Sequence, residues 1–498
     1  MSPPPTLRFN RSNSKDDYRI DRASATGGLV FRDPKDGEML RRSMQHVLQR
    51  VGSRVLQGNI NFSGMALPVH MNEPRSVLER VTDDWAYAPL YLKAAAATSD
   101  PVERIKLVAA FVVSGLHCID TLAKPFNPIL GSTYQATLSD GTPCYIEQTS
   151  HHPPVTHYSI RPEDASYIMA GFSGMQGGVV WGLDTALSSR RVGINVVEFA
   201  DGTRIVYTFP TMLLRALLSE LKCEFDGPFC VMYEAHGLVF DFALNPPQPM
   251  RWLPLSTGIP TDYMDGVLYR LSNQGVMEEG STCFTGAFAK KKGAFFGDPD
   301  EAVREANDGK YTAVELRSNA EITSSVTIAI QARNRGGNVS VSGGLEREIL
   351  CYARGTFLGY LDIDGERVWD IREMPKGQVV GGDLKKALAS DCRYREDVVV
   401  LKRALDENND EAAREALTNE AQLLKEKLEN IQRNDRKLRR EGVLRETNEE
   451  DGFVEKDEGE RSCTSVKAEF SEKDGQSVDG IGAGEEKKEF IPVSIPTR

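Results

Sequence analysis

Three of the chain's seven histidines, His151, His152 and His157, fall within seven positions, in and just after the run Glu147-Gln148-Thr149-Ser150-His151-His152-Pro153-Pro154. Two prolines directly after the paired histidines stop regular ladder bonding, so the imidazoles are expected at a strand end, where a sheet rim meets solvent or ligand. Three chemistries use such a cluster. A metal centre needs convergent ligands, and here there is no H-E-x-x-H, no nearby cysteine pair and no facial carboxylate pattern. A hydrolase needs an activated nucleophile, but Ser150 lacks the G-x-S-x-G elbow and no cysteine stands in a recognisable setting. An anion site needs donors, and two imidazoles with a lysine or arginine suit a phosphate monoester.

A candidate lysine lies upstream, in the run Lys124-Pro125-Phe126-Asn127-Pro128. Its prolines force an extended, stiff segment that holds the Lys124 and Asn127 donors along one edge. Other phosphate cradles are missing: no G-x-x-x-x-G-K-[ST] occurs, and Gly480, Gly482 and Gly484 have no strand before them. Further cations lie near the C-terminal end, where Leu417, Ala421, Leu424, Leu428 and Ile431 mark the apolar stripe of a helix over residues 411–440. Lys425, Glu429 and Arg433 follow at steps of four, each advancing about 40° around the helix, so they share one face beside that stripe. Geometry alone fits a solvated charge ladder equally well.

The elements that must position these residues change character along the chain. Residues 38–62 repeat apolar positions at helical spacing (Leu40, Met44, Val47, Val51, Val55), with Arg41, Arg42, Arg50 and Arg54 between them: a basic amphipathic helix. Asp100-Pro101-Val102-Glu103 then supplies a cap, a proline at the first helical position and a glutamate able to reach back to the cap. From Thr133 the period falls to two. Asp140-Gly141, Asp201-Gly202 and Asp364-Gly365 each separate two alternating runs, which predicts three antiparallel hairpins. Helices first, then many strands, then helix exclude a doubly wound alternation. The expected class is α+β, with a large antiparallel sheet closing into a barrel able to hold a ligand.

With 60 basic and 72 acidic residues among 498, the formal charge is −12. A mean hydropathy of −0.37 is too polar for a membrane-spanning chain, and the most apolar window, 105–116, is far shorter than the ~20 residues of a bilayer span. The first residues carry no apolar stretch of the secretory kind. Eight scattered cysteines without a C-x-x-C read as reduced thiols. Residues 441–498 hold sixteen acidic against eight basic residues and, like 1–35, are expected to be disordered, leaving one folded unit over 36–440.

Taken together, these motifs resemble a known family. EQTSHHPP at 147–154 is similar to the EQVSHHPP signature of the oxysterol-binding protein-related lipid transfer proteins, with Thr149 in place of valine. KPFNPILGSTY at 124–134 resembles that family's KPFNPxLGETY, departing at Ser132. LPVHMNEP at 67–74 is similar to its LPVxxNEP, and Lys425, Glu429 and Arg433 match its K-x3-E-x3-R helix; residues 245–320 fit poorly. The resemblance implies a lid (36–66), helices (67–122), a near-complete β-barrel enclosing a hydrophobic tunnel (123–375) and a C-terminal helical subdomain (383–440). It implies a phosphatidylinositol 4-phosphate head group bound by Lys124, Asn127, His151, His152, Lys425 and Arg433, with Glu429 orienting the cluster. A second lipid is exchanged for it between membranes: a sterol, as residues 76–87 also resemble the sterol-binding members, or else phosphatidylserine. A sensor of the same lipid acting through a partner protein, and a histidine-dependent hydrolase, are the competing readings.

The expectation is therefore a non-enzymatic, monomeric, cytoplasmic carrier, peripheral at membrane contact sites, with no metal, cofactor or nucleic acid. Residues 38–62, the basic run 431–440 and Lys290-Lys291-Lys292 with Phe295-Phe296 are expected to touch anionic membranes.

Overall fold

The computed structural model describes residues 17–31, 38, 68–119, 123–151, 154–180, 186–193, 195–215, 220–244, 259–271, 347–407 and 410–440. The lid helix beyond Glu38, the Lys290–Phe296 patch and the acidic stretch 441–498 lie outside them. The chain divides into two compact units, Met1–Asn434 and Asp435–Arg498. Of the second, the described residues are the last helical turns.

In chain order the strands before the sheet's middle are β1 (Leu29–Val30), β2 (Asn72–Ser76), β3 (Lys124–Phe126), β4 (Thr133–Leu138), β5 (Pro143–His151), β6 (Pro154–Ile160), β7 (Tyr167–Val180), β8 (Ala186–Val192) and β9 (Asn195–Phe199). There follow β10 (Arg204–Tyr207), β11 (Thr211–Arg215), β12 (Lys222–Tyr233), β13 (Leu238–Leu244), β14 (Tyr263–Leu271), β15 (Arg347–Thr356), β16 (Tyr360–Ile363), β17 (Glu366–Asp370) and β18 (Val379–Gly381). The helices are α1 (Val77–Arg80), α2 (Ala88–Ala97), α3 (Pro101–Gly115), α4 (Glu396–Asp406) and α5 (Glu411–Arg440).

Sixteen strands form one antiparallel sheet with the path β17-β16-β15-β14-β13-β12-β10-β9-β7-β6-β5-β4-β18, and β1, β8 and β11 join beside it. Its two ends, β17 and β18, are separated by residues 371–378 alone. Eight residues span at most about 30 Å, so the sheet must curl until its ends approach. The three expected hairpins are β4/β5, β9/β10 and β16/β17. At the last, Asp364 and Gly365 both take positive φ (52° and 84°), the backbone a two-residue hairpin needs.

Helix α3 explains what the sheet curls around. Asp100 caps it, its side chain accepting from the Val102 amide. The reciprocal capping box, expected here with Glu103, forms instead at α1, where Ser76 and Glu79 satisfy each other's backbone. From Val108 to Gly115 every residue of α3 is buried, and a helix apolar all round must be enclosed. It packs against β10, β12, β13, β16 and β17, strands spread along the sheet. Its Val108, Phe111 and Val112 belong to the same core as Tyr134, Ile146, Tyr207, Phe229, Phe240 and Trp369.

Two expectations about boundaries need correction. Residues 17–31, placed in a disordered terminus, are tied to the sheet: Leu29–Val30 form β1, which pairs with β12, and Arg19 forms an ion pair with the fully buried Asp262. The reason is long-range. Polar residues that read as coil find partners on distant strands, Lys222 donating to the Gly27 carbonyl at 3.0 Å and the Asp262 carboxylate accepting from Arg19 and from Thr356. Gly27 (φ 105°) packs so closely on Thr261 that a Cβ would stand 2.0 Å from its amide nitrogen. Residues 67–122, assigned to helices, also contain β2, whose Asn-Glu-Pro stretch pairs parallel with β3.

Candidate functional site

The paired-histidine run ends β5, and the ladder to β6 slips there. Gln148 pairs with Thr156 and Ser150 with Val155, leaving Thr149 as the extra residue of a bulge. Fully buried Gln148 fixes that bulge: its Nε2 donates to the Ser150 carbonyl at 2.6 Å, and its Oε1 accepts from the Thr156 hydroxyl at 2.8 Å. His151, the last residue of β5, is partly exposed, with Nδ1 3.1 Å from the Pro128 carbonyl. A carbonyl only accepts, so Nδ1 carries the proton there, and Nε2 can donate to an anion only in the imidazolium form. His152 lies outside the described residues. His157 is engaged elsewhere, 2.7 Å from the Thr149 hydroxyl and against the Phe172 ring, and burial holds its pKa down. Thr149, the departure from the family signature, thus finds its partner in the third histidine.

Lys124 and Asn127 are held by their backbone. The Lys124 carbonyl accepts from Asn72 Nδ2 at 3.0 Å, and the Asn127 carbonyl accepts from Arg395. Arg395 lies over the Phe126 ring, 5.3 Å from its centroid, and pairs with the fully buried Asp397 at 2.6 Å. With His151 bonded to the Pro128 carbonyl, residues 124–128 are gripped from three directions.

Helix α5 brings the remaining charges. Ala421 is buried in a small cluster with Val69, Phe126, Val398, Val400 and Leu401, flanked by Leu417 and Leu424, and Gln422 Oε1 accepts from the Val69 amide at 2.6 Å. This seats the helix two residues from Lys124, and Lys425 follows one turn later. Its Nζ lies 2.7 Å from Glu429 Oε1, while the other Glu429 oxygen lies 3.2 Å from Arg433. Exposure rises steeply along that face, from 8% for the Lys425 side chain to 63% for Arg433. Lys124 has its pKa lowered to about 8, first by burial and then by Lys425, with Glu429 partly opposing. The expected residues Lys124, Lys425, Glu429 and Arg433 therefore converge, and His151 reaches the same loop through Pro128. Such a cluster can attract and orient a phosphate by charge-assisted hydrogen bonds.

Two further arrangements carry no signal in the sequence. One is the Arg395–Asp397 clamp, formed from the unremarkable Arg-Glu-Asp at the start of α4. The other is Arg191 on β8, which pairs with Asp84 and lies 4.8 Å from the Phe209 ring centroid. Around it, Trp85 packs on Tyr158, whose hydroxyl donates to Asn195, and Asn195 in turn donates to the Tyr207 carbonyl. Among the described residues no group of three histidine, cysteine or carboxylate side chains is placed to hold a metal.

The fold is similar to that of the Osh1 ORD domain solved in complex with ergosterol, which aligns with 87% of this chain and 86% of its own at a TM-score of 0.50 and 16% identity; the likeness is one of fold. The family model for oxysterol-binding protein matches residues 55–246. Oxysterol-binding protein 9 of Dictyostelium discoideum is 30% identical over 392 residues, 77% of this chain and 76% of that protein. The chain belongs to the oxysterol-binding protein family. Human oxysterol-binding protein-related protein 6 is 43% identical over a shorter stretch of 108 residues, 20% of this chain and 11% of that protein.

Proposed function

We propose that this protein is a lipid exchanger that binds phosphatidylinositol 4-phosphate and, in alternation, a sterol, and carries them between membranes. The observation that carries the reading is the convergence of Lys124, Lys425, Glu429 and Arg433 beside a loop pinned by His151 and Arg395. In this reading Lys124, Asn127, His151, His152, Lys425 and Arg433 hold the head group, and Glu429 orients the two cations of α5. Lipid tails need a dry space lined by the alternating apolar residues of the strands, where removal from water drives binding. No bond is made or broken, and the protein works as a cytoplasmic, peripheral carrier at membrane contact sites.

The interior favours the sterol over phosphatidylserine as second ligand. A sterol presents one hydroxyl, and Asp84, Arg191, Tyr158 and Asn195 offer a compact polar cluster among apolar walls. Arg191 is already neutralised by Asp84, so it supplies no net positive charge for a second phosphate and carboxylate. Lipids recovered with the purified protein, analysed by mass spectrometry, test this choice: phosphatidylserine without sterol, from a host that makes both, contradicts it.

The head-group assignment is tested by replacing His151 and His152 with alanine. Each charge-assisted bond lost from a desolvated phosphate costs about 1.5–3 kcal/mol, so extraction of phosphatidylinositol 4-phosphate from liposomes should fall by orders of magnitude. Extraction equal to the parent's would refute the site. Movement of lipid between two liposome populations distinguishes an exchanger from a sensor.

A further inference from the structure

A carrier must present its site to a bilayer, and the described surface contains a patch suited to that contact which no sequence motif marks. Gly382 donates its amide to the Gln135 carbonyl, and eight residues later the Ser390 carbonyl accepts from the Thr133 amide. Between these two attachments to the edge of β4, residues 383–389 bulge outward. The excursion is stiffened at its base: Asp383 caps the 3-10 turn Leu384–Lys386, and the Tyr394 hydroxyl donates to the Leu384 carbonyl. Its side chains are unusual for a polar loop. Leu384 is 40% exposed, Leu388 53% and Tyr394 45%, and Leu130, three residues before Thr133, is 42% exposed. Lys385 and Lys386 are exposed among them.

Scattered apolar side chains on a surface need no explanation, but two on one braced excursion, interleaved with lysines and joined by Tyr394 just after it and Leu130 on the neighbouring loop, do. Its position suggests the partner. Leu130 belongs to the loop whose Asn127 and Pro128 carbonyls are bonded by Arg395 and His151, and Tyr394 directly precedes Arg395. The patch therefore borders the phosphate-binding candidate.

We infer that Leu130, Leu384, Leu388 and Tyr394, with Lys385 and Lys386, form a docking surface for an anionic bilayer that brings the site's mouth against the lipid it loads. Leucines and a tyrosine enter the interface between head groups and acyl chains, while the lysines meet anionic head groups. A rigid excursion loses little conformational freedom on docking. The inference rests on the lipid-exchange reading for its purpose but on its own residues for its geometry.

Two double variants, Leu384→Asp/Leu388→Asp and Lys385→Glu/Lys386→Glu, test it by sedimentation with phosphatidylcholine vesicles containing phosphatidylserine. Each should bind at least about 30-fold more weakly than the parent, with an unchanged melting temperature, because all four side chains are exposed. Binding of a short-chain, water-soluble phosphatidylinositol 4-phosphate, measured without vesicles, should stay at the parent's level. A third variant, Leu388→Trp, should show a blue-shifted emission when those vesicles are added. Parental vesicle binding by both double variants, or no shift for the tryptophan, overturns the docking surface; a surface meant for a protein partner would give that result. If the parent itself fails to bind the short-chain lipid while the variants still lose vesicle binding, the head-group reading fails and the docking surface stands.

Discussion

Two clusters of charge, one joining the N-terminal strap to the sheet and one at the candidate site, are built on opposite principles. Asp262 is fully buried and accepts from Arg19, Thr356 and the Gly28 amide, so its negative charge is satisfied entirely within the protein. At the site, the Glu429 carboxylate stands between Lys425 and Arg433, and repulsion from Lys425 outweighs attraction to Glu429 in setting the pKa of Lys124. The first arrangement serves the fold, since a buried charge persists only where its hydrogen bonds are made. The second keeps like charges together, a cost that an arriving anion relieves.

That contrast can be broken most forcefully at Asp262. Replacing it with alanine leaves Arg19 without its carboxylate and should destabilise the protein by about 3–5 kcal/mol, read by chemical denaturation. A loss under about 1 kcal/mol would show that the strap is not knit in by charge. The site should respond in binding instead. Burial and Lys425 hold the Lys124 pKa at about 8, below the 10.5 of an ordinary lysine, and a bound phosphate favours its protonated form. The contribution of Lys124 to phosphatidylinositol 4-phosphate affinity should therefore be level below about pH 8 and decline above it, by up to tenfold per unit. The folded protein, by the same linkage, gains stability as pH rises from about 8 towards 10.5, because the unfolded chain binds the extra proton. Isothermal titration across that range checks the first claim, and an affinity that rises with pH would contradict it.

Glu429→Gln sharpens the comparison further. Glu429 raises the pKa of Lys124, so its neutralisation should move the Lys124 titration lower still, a shift visible by NMR of the labelled lysine. An unmoved titration would separate Lys124 from α5. The smallest effect on the fold is expected at Arg433, whose side chain is 63% exposed. Arg433→Ala should change stability by no more than about 0.5 kcal/mol, while weakening lipid binding most at low salt, where an exposed charge is least screened.

How much of this was legible beforehand follows the range of each interaction. Asp-Gly at 140, 201 and 364 declares a hairpin because a tight turn is decided by two residues and their backbone angles. The Asp100 cap and the stripe of α5 are equally local. Gln148 shows the opposite case: its letters are plain, but the bulge at Thr149 depends on Thr156 across the ladder. The strap was missed because Arg19 finds Asp262 243 positions away, and Arg395 because its role depends on Asn127, 268 positions away. At the site, residue types and order named Lys124, His151 and the α5 ladder, but nothing in spacing could reveal that His151 leans on Pro128 or that His157 turns to Thr149.

Those separations have a kinetic meaning. The loop 124–128 is clasped by Arg395, β4 is closed by Ser390 at a separation of 257 residues, and Val69 is tied to Gln422 at 353. Contacts of such high order form slowly, because a long loop must close before any of them is rewarded. On the ribosome, the site cannot exist until α4 and α5 have emerged, long after the strands bearing Lys124 and His151. Assembly of the candidate site is thus a late event, and a chain stalled or truncated before residue 395 would lack the Arg395 clasp and the charges of α5.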